Sequence, residues 1–434
     1  MSDGVKLEQM GVPTVTVCST AFAHAARRQA AGRGMDDLPV VEIPHPMHSA
    51  TQQAVTERAE TVMANLAAAL TTRAASVAGV AAARLPDVMA LPADPVAIEE
   101  FFFEQGWTDG LPITPPTRAA VDALLAATPR DRYETLGPIP PRMRRVTLEK
   151  IAINAVMAGC KAAYFPVVLA AVEAVLDENT RLYGIQTATN NTTPLMIING
   201  PAVQRLGLNS AGNVFGAGNR ANATLGRALQ LVLRNLGGDL PGETDMATQG
   251  QSGKYTFCIA ENEVDSPWPP FHVERGFAAS DSTVTVIGAS PGHNLFTYGC
   301  ETGAEILDHF IGGMTALGHN NVIFPTGPLL VIGPEHAGVL ARDGLDKAAI
   351  RQAIFERARI PLARFAARSV RGLKHRRSRW FAQFPNADHI GVADAAADVS
   401  IVVAGGAGIH SLFIPTSFSH HPVTRVIQFK ATSV

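Results

Sequence analysis

Hydrophobic positions come in short unbroken blocks, separated by stretches where they recur at helical spacing. Residues 14–19, TVTVCS, are such a block, rich in β-branched side chains, and predict a buried parallel strand. The alanine-rich stretch 22–31 predicts a helix. Residues 38–44, LPVVEIP, predict a second strand, closed by Pro44 and Pro46. Over residues 50–70, Val55, Ala59, Val62, Met63, Leu66 and Leu70 repeat at helical spacing. Strand–helix–strand–helix is half of a doubly wound sheet. Two strands and two helices bury too little for a core of their own. The missing strands are therefore expected from the rest of the chain, from a second copy or from a partner.

Residues 73–95 are rich in alanine and proline and read as a linker. A larger domain, residues 96–434, opens with a helix that runs into the Gly/Pro-rich WTDGLPITPPT. Helices are predicted at 147–159, 165–176, 301–317 and 346–358, with another after the Gly/Asn-rich loop that begins at 208. Strands are predicted at 194–200, 255–260, 282–289, 328–333 and 399–406. The fold class is α/β: a partial doubly wound N-terminal half-domain (1–72) followed by a larger α/β domain. No internal repeat occurs at solenoid periods.

Composition narrows the function. The 434 residues are 47% hydrophobic and 17% charged, with formal net charge -2, which gives no electrostatic footprint for nucleic acid. The four cysteines, Cys18, Cys160, Cys258 and Cys300, form neither a CxxC pair nor a disulfide framework, as expected in a reducing compartment. The N-terminus lacks a signal-peptide core, and no apolar stretch is long enough to span a bilayer. A cytoplasmic protein with no membrane contact is expected.

Several polar clusters can carry chemistry. In the Gly/Asn-rich stretch 212–227, glycines permit close backbone approach and the following helix start attracts anions. Asn219, Arg220, Asn222 and Arg227 are candidate substrate-binding residues, the arginines as forked donors to carboxylate or phosphate. A structural loop with asparagines in capping positions fits the same residues. The spacing matches neither dinucleotide nor P-loop signatures. Residues 261–276 set Glu261, Glu263, His272 and Glu274 in one loop as acid–base candidates, with Arg275 beside them as a substrate ligand. A divalent metal there is a weaker alternative, since HxE is not a specific ligand pattern, and no cofactor is predicted. A salt-bridged, proline-stiffened loop is the structural alternative.

Cys300 stands at an expected strand-to-helix turn. A helix N-terminus stabilises a thiolate, which makes it the nucleophile candidate among the four cysteines, although Glu301 works against a lowered pKa. Thr108 and Asp109 occupy a tight turn that either presents them to substrate or joins domains. Gly405, Gly406 and Gly408 offer backbone donors after a buried strand, with His410 beside them as a substrate-binding or acid–base group. His45, His48, His293, His309 and His319 form no recognisable ligand set.

Leu7, Glu8, Gly11, Pro13 and Val15 spell a Leu-Glu-x-x-Gly-x-Pro-x-Val lead-in to the first strand. With the stretch that follows, through IPHPM, it resembles the second half of the UGSC family of selenoproteins and their cysteine homologues. More distantly it is similar to the selenoprotein B component of glycine and betaine reductases. In those families a strand ends in a Sec-Gly-Ser-Cys or Cys-Gly-x-Cys loop, and a helix follows before the lead-in. Here Met1 falls inside that helix, and the reactive motif is absent. Residues 96–434 resemble the large domain fused behind UGSC-type domains, in stretches such as TDGLPITPPT, GNRANATLGRAL, PGETD and GGAGIHSLFIPT. The missing motif and the polar loops point to an enzyme subunit acting on a small anionic molecule, and the resemblance implies reductive or nucleophilic chemistry. The subunit would cleave or form a carbon–heteroatom bond with a small Cys- or Sec-bearing partner subunit, or as a homo-oligomer. The residues leave two alternatives open: a self-contained lyase or hydrolase using Glu/His acid–base chemistry, and a non-catalytic scaffold.

Overall fold

The computed structural model describes residues 2–47, 49–71, 88–419 and 421–430. Most of the expected linker, residues 73–87, and His48 lie outside them.

The N-terminal segment contains the four elements read from the hydrophobic pattern and, before them, the helix that the family resemblance implies. A helix, α1 (Ser2–Gln9), precedes the first strand. The chain then turns through Gly11 at φ +79°, a conformation a side chain would strain. β1 (Thr16–Ser19) and β2 (Val40–Ile43) pair in parallel, Val17 opposite Val41, with α2 (Thr20–Ala31) as the crossover between them and α3 (Gln52–Thr71) following β2. Val41, Ile43 and Val62 form one small core and Val5, Ala30 and Leu38 another. Val17 is 48% exposed, contrary to the expectation of a strand buried on both faces. A sheet of two strands has too few neighbours to cover it.

The larger domain contains a duplication. β5 (Thr193–Asn199), β6 (Cys258–Ala260), β7 (Thr283–Ala289) and β8 (His293–Phe296) are followed by the equivalent series β9 (Leu329–Ile332), β12 (Ser400–Val403), β13 (His410–Ile414) and β14 (Val423–Val426). Between them fall β10 (Arg359–Pro361) and β11 (His389–Gly391), a short pair of their own, and before them the hairpin β3 (Thr135–Ile139) with β4 (Arg144–Thr147). One sheet has the order β6-β5-β7-β14 and the other β12-β9-β13-β8. Each has a parallel pair, then two antiparallel ones, and each takes its last strand from the other half. The registers coincide. Leu195 faces Ile287 as Leu329 faces Ile414, Met196 faces Cys258 as Leu330 faces Ile401, and Val286 faces Val423 as Phe413 faces His293. An antiparallel bridge between Ala289 and Thr416 joins the two sheets where the halves meet. The sequence carries an echo, PLMIINGP at 194–201 and PLLVIGP at 328–334. The period is far longer than any solenoid repeat.

Strand alternation then fixes the layers. Leu195, Ile197 and Ile287 of one sheet pack against Leu329, Val331 and Ile414 of the other. Met196, Ile198 and Val284 point the opposite way, into the helices Leu148–Met157, Phe165–Leu176 and Arg220–Val232. Leu330, Ile332 and Phe413 point into Gly303–Met314, Pro334–Arg342 and Lys347–Arg357. The result is a four-layer helix–sheet–sheet–helix sandwich with mixed sheets. Among the described residues no helix is long and apolar enough to cross a membrane.

Candidate functional site

The helix Arg220–Val232 ends in one π-helical turn, Leu233–Gly237, and the chain leaves it through Gly238 at φ +82°. Such π turns interrupt the regular ladder and cluster at functional sites. Asn235 is pinned by donating to the Trp107 carbonyl (2.8 Å) and to Asn154 Oδ1 (2.7 Å). The chain then runs through Asp239, Pro241, Gly242 and Asp245. These line a pocket of about 650 Å³ together with Gln230, Arg234, Gln251, Lys254 and Tyr255.

The electrostatics of this pocket are uneven. Lys254 pairs with Asp245, and Asp245 Oδ1 also accepts from the Ala247 N–H (3.0 Å). Asp239 has no such help: its Oδ1 is enclosed and has no hydrogen-bond partner among the described residues. Burial, reinforced by the negative charge of Asp245, pushes its carboxyl up to about 7. Lys254 and Arg234 oppose the shift only in part. The enclosed Nε of Arg234 is likewise unpartnered, and Arg234 enters no ion pair among the described residues. The pocket thus holds a carboxyl able to exchange a proton near neutrality and a cation free to meet an anion. Neither residue was singled out from sequence. The available signal was the paired acids of GGDLPGETD.

The residues anticipated from sequence are distributed differently. Arg227 grips Asp109 through two bonds of 2.8 and 2.7 Å, which together with a backbone bond holds the Asp109 carboxyl below its ordinary range despite burial. Asp109 borders the pocket, whereas Thr108 closes its own turn by donating to the Leu111 carbonyl (2.8 Å). Asn219 caps the helix that follows it, accepting from the Asn222 N–H (3.0 Å). Asn222 exchanges bonds with the Asn209 backbone, and Arg220 is spent on the Gly159 carbonyl. The asparagine loop is therefore held by its own side chains, as in the structural alternative.

The Glu261–Glu274 loop is an internal ion network. Glu261, 1% exposed, accepts from Asn199 (2.5 Å) and the Phe271 N–H (2.7 Å) and lies 3.5 Å from Lys347 Nζ, itself 3% exposed. Glu263 takes the Gly200 N–H (2.7 Å), and Glu274 binds Lys347 and Arg351. His272 is fully enclosed, with its Nδ1 3.7 Å from Glu263. Arg275 donates to Thr424 and the Pro422 carbonyl, which ties β14 in place. Of this loop, Glu261 and His272 are closed to any substrate in this conformation. Among the described residues no group of three or more His, Cys, Asp or Glu side chains could hold a metal ion.

Cys300 lies between β8 and the helix Gly303–Met314, as anticipated, but its thiol is pushed up rather than down, by partial burial and by Glu305 and Asp308. The reason is local: Thr302 and Glu305 form a capping box, which puts a carboxylate at the helix start where the thiolate would otherwise gain. Cys160 follows the helix Leu148–Met157, and burial pushes it up to about 12. His410 is exposed, stacked on Phe296 with centroids 4.8 Å apart, and 3.2 Å from Asn294. It borders a second pocket, of about 270 Å³, between residues 213–216 and the 404–408 glycine loop.

The lead-in noted in the sequence has a physical role. The Glu8 carboxylate reaches forward to accept the backbone N–H and the hydroxyl (3.0 Å) of Thr14, fixing α1 against the start of β1. Residues 1–72 match the UGSC family. No curated protein matches the chain. The matched segment touches the larger domain at two points: Gln29 accepts from the Tyr183 hydroxyl (2.6 Å), and Arg28 lies 3.8 Å from Glu243 in the loop that carries Asp239.

Proposed function

We propose that this chain is an enzyme subunit that transfers a proton to or from a small anionic substrate held in the Asp239 pocket. The reading rests on one observation: an unpartnered carboxyl near pKa 7 and an unpaired arginine line the same cavity. Arg234 binds the substrate's carboxylate or phosphate, with the amides of Gln230 and Gln251 beside it. Asp239 acts as base when ionised and as acid when protonated. Lys254, compensated by Asp245, keeps the pocket from accumulating negative charge. Removal of a proton next to a carboxylate, followed by loss of a β-substituent, is carbon–heteroatom cleavage of the lyase type, and it needs no thiol from this chain.

The test is deuterium incorporation from D2O into a panel of small hydroxy- and amino-carboxylates, followed by proton NMR. Catalysed exchange whose rate rises through about pH 7, and which falls at least about a hundredfold in Asp239→Asn, is the expected result. Exchange at an undiminished rate in Asp239→Asn overturns the assignment. A second reading, thiol or selenol chemistry with a Cys- or Sec-bearing partner subunit, draws support from α2 of the UGSC segment reaching the Asp239 loop. Its test is the intact mass of whatever co-purifies with the tagged chain: a stoichiometric partner carrying that motif supports it, and a single species does not.

A further inference from the structure

The geometry points to a second reactive centre in the smaller pocket: Ser411 as a nucleophile, His336 as its base and Thr297 as the residue that orients the base. Ser411 Oγ lies 2.7 Å from His336 Nδ1, and His336 Nε2 lies 2.6 Å from Thr297 Oγ1. The Gly333 N–H donates to Ser411 Oγ (3.0 Å), and in the tautomer that nucleophilic chemistry uses the serine hydrogen goes to His336 Nδ1. His336 then carries its own hydrogen on Nε2 and donates it to Thr297. Base, nucleophile and orienting group thus stand in the order nucleophilic catalysis requires.

Further observations separate this chain of hydrogen bonds from ordinary core polarity. Ser411, though only 4% exposed, borders the pocket together with Gly333, Asn294 and His410. The equivalent position of the first half, on β7, is Val284, an apolar core residue, so the hydroxyl is not demanded by the shared strand frame. At the pocket's edge Gly406 packs directly on Gly212, where a Cβ on Gly406 would come within 2.7 Å of the Gly212 Cα. His336 is buried against the Phe310 ring, and burial holds it down to about 4, so the imidazole is neutral at pH 7 and has a lone pair to offer the Ser411 hydroxyl. Gly406 and Ala407 also border this pocket, and their N–H groups make no hydrogen bond among the described residues.

The substrate class is a small ester or thioester. Ser411 Oγ bonds to the acyl carbon, its proton passes to His336, and that proton leaves with the alcohol or thiol. Water then cleaves the acyl-serine, giving up a proton to His336 and restoring the hydroxyl.

A fluorophosphonate tests the centre directly, because Oγ–P bond formation expels fluoride and leaves a stable adduct. The full chain should acquire one adduct, on Ser411, located by peptide mass spectrometry. It should also release p-nitrophenol from p-nitrophenyl acetate with a burst of one equivalent. Ser411→Ala should lose the adduct and the burst. His336→Gln should slow labelling about a hundredfold. Thr297→Val should lower the maximal labelling rate while leaving the half-saturating probe concentration unchanged, and Thr297→Ser, which keeps the hydroxyl, should restore the rate, which a merely structural threonine would not do. No adduct on a folded wild-type chain, or an adduct elsewhere that survives in Ser411→Ala, overturns the proposal. If Ser411→Ala does not fold, the His336→Gln rate decides, and an unchanged rate rejects it.

Discussion

The two halves of the sandwich share a strand frame and end it in opposite ways. After β6 the Glu261 N–H donates to the Ile198 carbonyl (3.1 Å), and after β12 the Ala404 N–H donates to the Ile332 carbonyl (3.1 Å). The backbone is equivalent to that point. Beyond it the first half places Glu261 and Glu263 and fills the space with His272 and with Lys347 from the second half. The second half places Ala404, Gly405 and Gly406 and leaves a pocket. A duplicated frame therefore fixes where a site can be, and the three residues after one strand decide whether that place becomes an ionic core or a cavity.

The sharpest way to break the comparison is to remove the ion that fills the first half. Lys347→Ala leaves Glu261 enclosed without its cation, and burial already pushes that carboxyl above its ordinary range. The expected loss is about 3–5 kcal/mol, read as a lower urea midpoint, because an uncompensated buried charge costs far more than the pair contributes. A loss under about 1 kcal/mol would mean that Glu261 simply takes up a proton.

Asp239 gives a smaller effect with a definite sign. An unfolded aspartate titrates near 3.9 and the folded one near 7. The folded state holds the proton more tightly, so the associated stability is complete below about pH 4 and is lost as pH rises through 7. Between pH 5 and pH 8 the wild type should lose on the order of 2 kcal/mol more than Asp239→Asn, measured by urea unfolding at both pH values. Equal slopes in the two proteins would show that Asp239 is solvated and ordinary.

Much of this frame was legible in the sequence, and the reasons for the exceptions are physical. Residues 165–176 and 283–289 announce themselves because a helix or strand packed on most sides is apolar along its length. β8 and β14 were missed. HNLF and VTRV are edge strands with mixed polarity, and their partners lie in the other half of the chain, where no local period records them. The duplication was hidden for the same reason, since it survives mainly in register. Charged loops drew attention as sites, but a loop rich in Glu, Lys and Arg side chains can satisfy itself, as Glu261, Glu274, Lys347 and Arg351 do. The residues left unsatisfied, Asp239 and Arg234, sit in unremarkable sequence. Only the fold shows that, among the described residues, neither enters an ion pair.

Filling the second half tests the comparison from the other side. Gly406→Ala adds a methyl group that must displace the 212 loop, at a cost of about 1 kcal/mol. It should close the smaller pocket and slow fluorophosphonate labelling of Ser411 while leaving the pH slope due to Asp239 intact. Loss of both together would mean that the two pockets are one cooperative unit.

The smallest expected effect concerns Cys300, which lies outside both strand ends. A helix start ordinarily favours a thiolate, yet here the Glu305 carboxylate of the capping box and Asp308 one turn on both disfavour it. At pH 7.5 the thiolate fraction should fall below that of a free cysteine, and alkylation by iodoacetamide should be correspondingly slower. Asp308→Asn removes one of the opposing charges and keeps the cap, so it should speed alkylation about twofold. Cys300→Ala should move the unfolding free energy by no more than about 0.5 kcal/mol, because the thiol is half-buried and its polar contact is a 3.3 Å approach to His309. Alkylation faster than free cysteine would reverse the argument: His309 would then be drawing the proton from the thiol against both carboxylates, and Cys300 would return as a nucleophile.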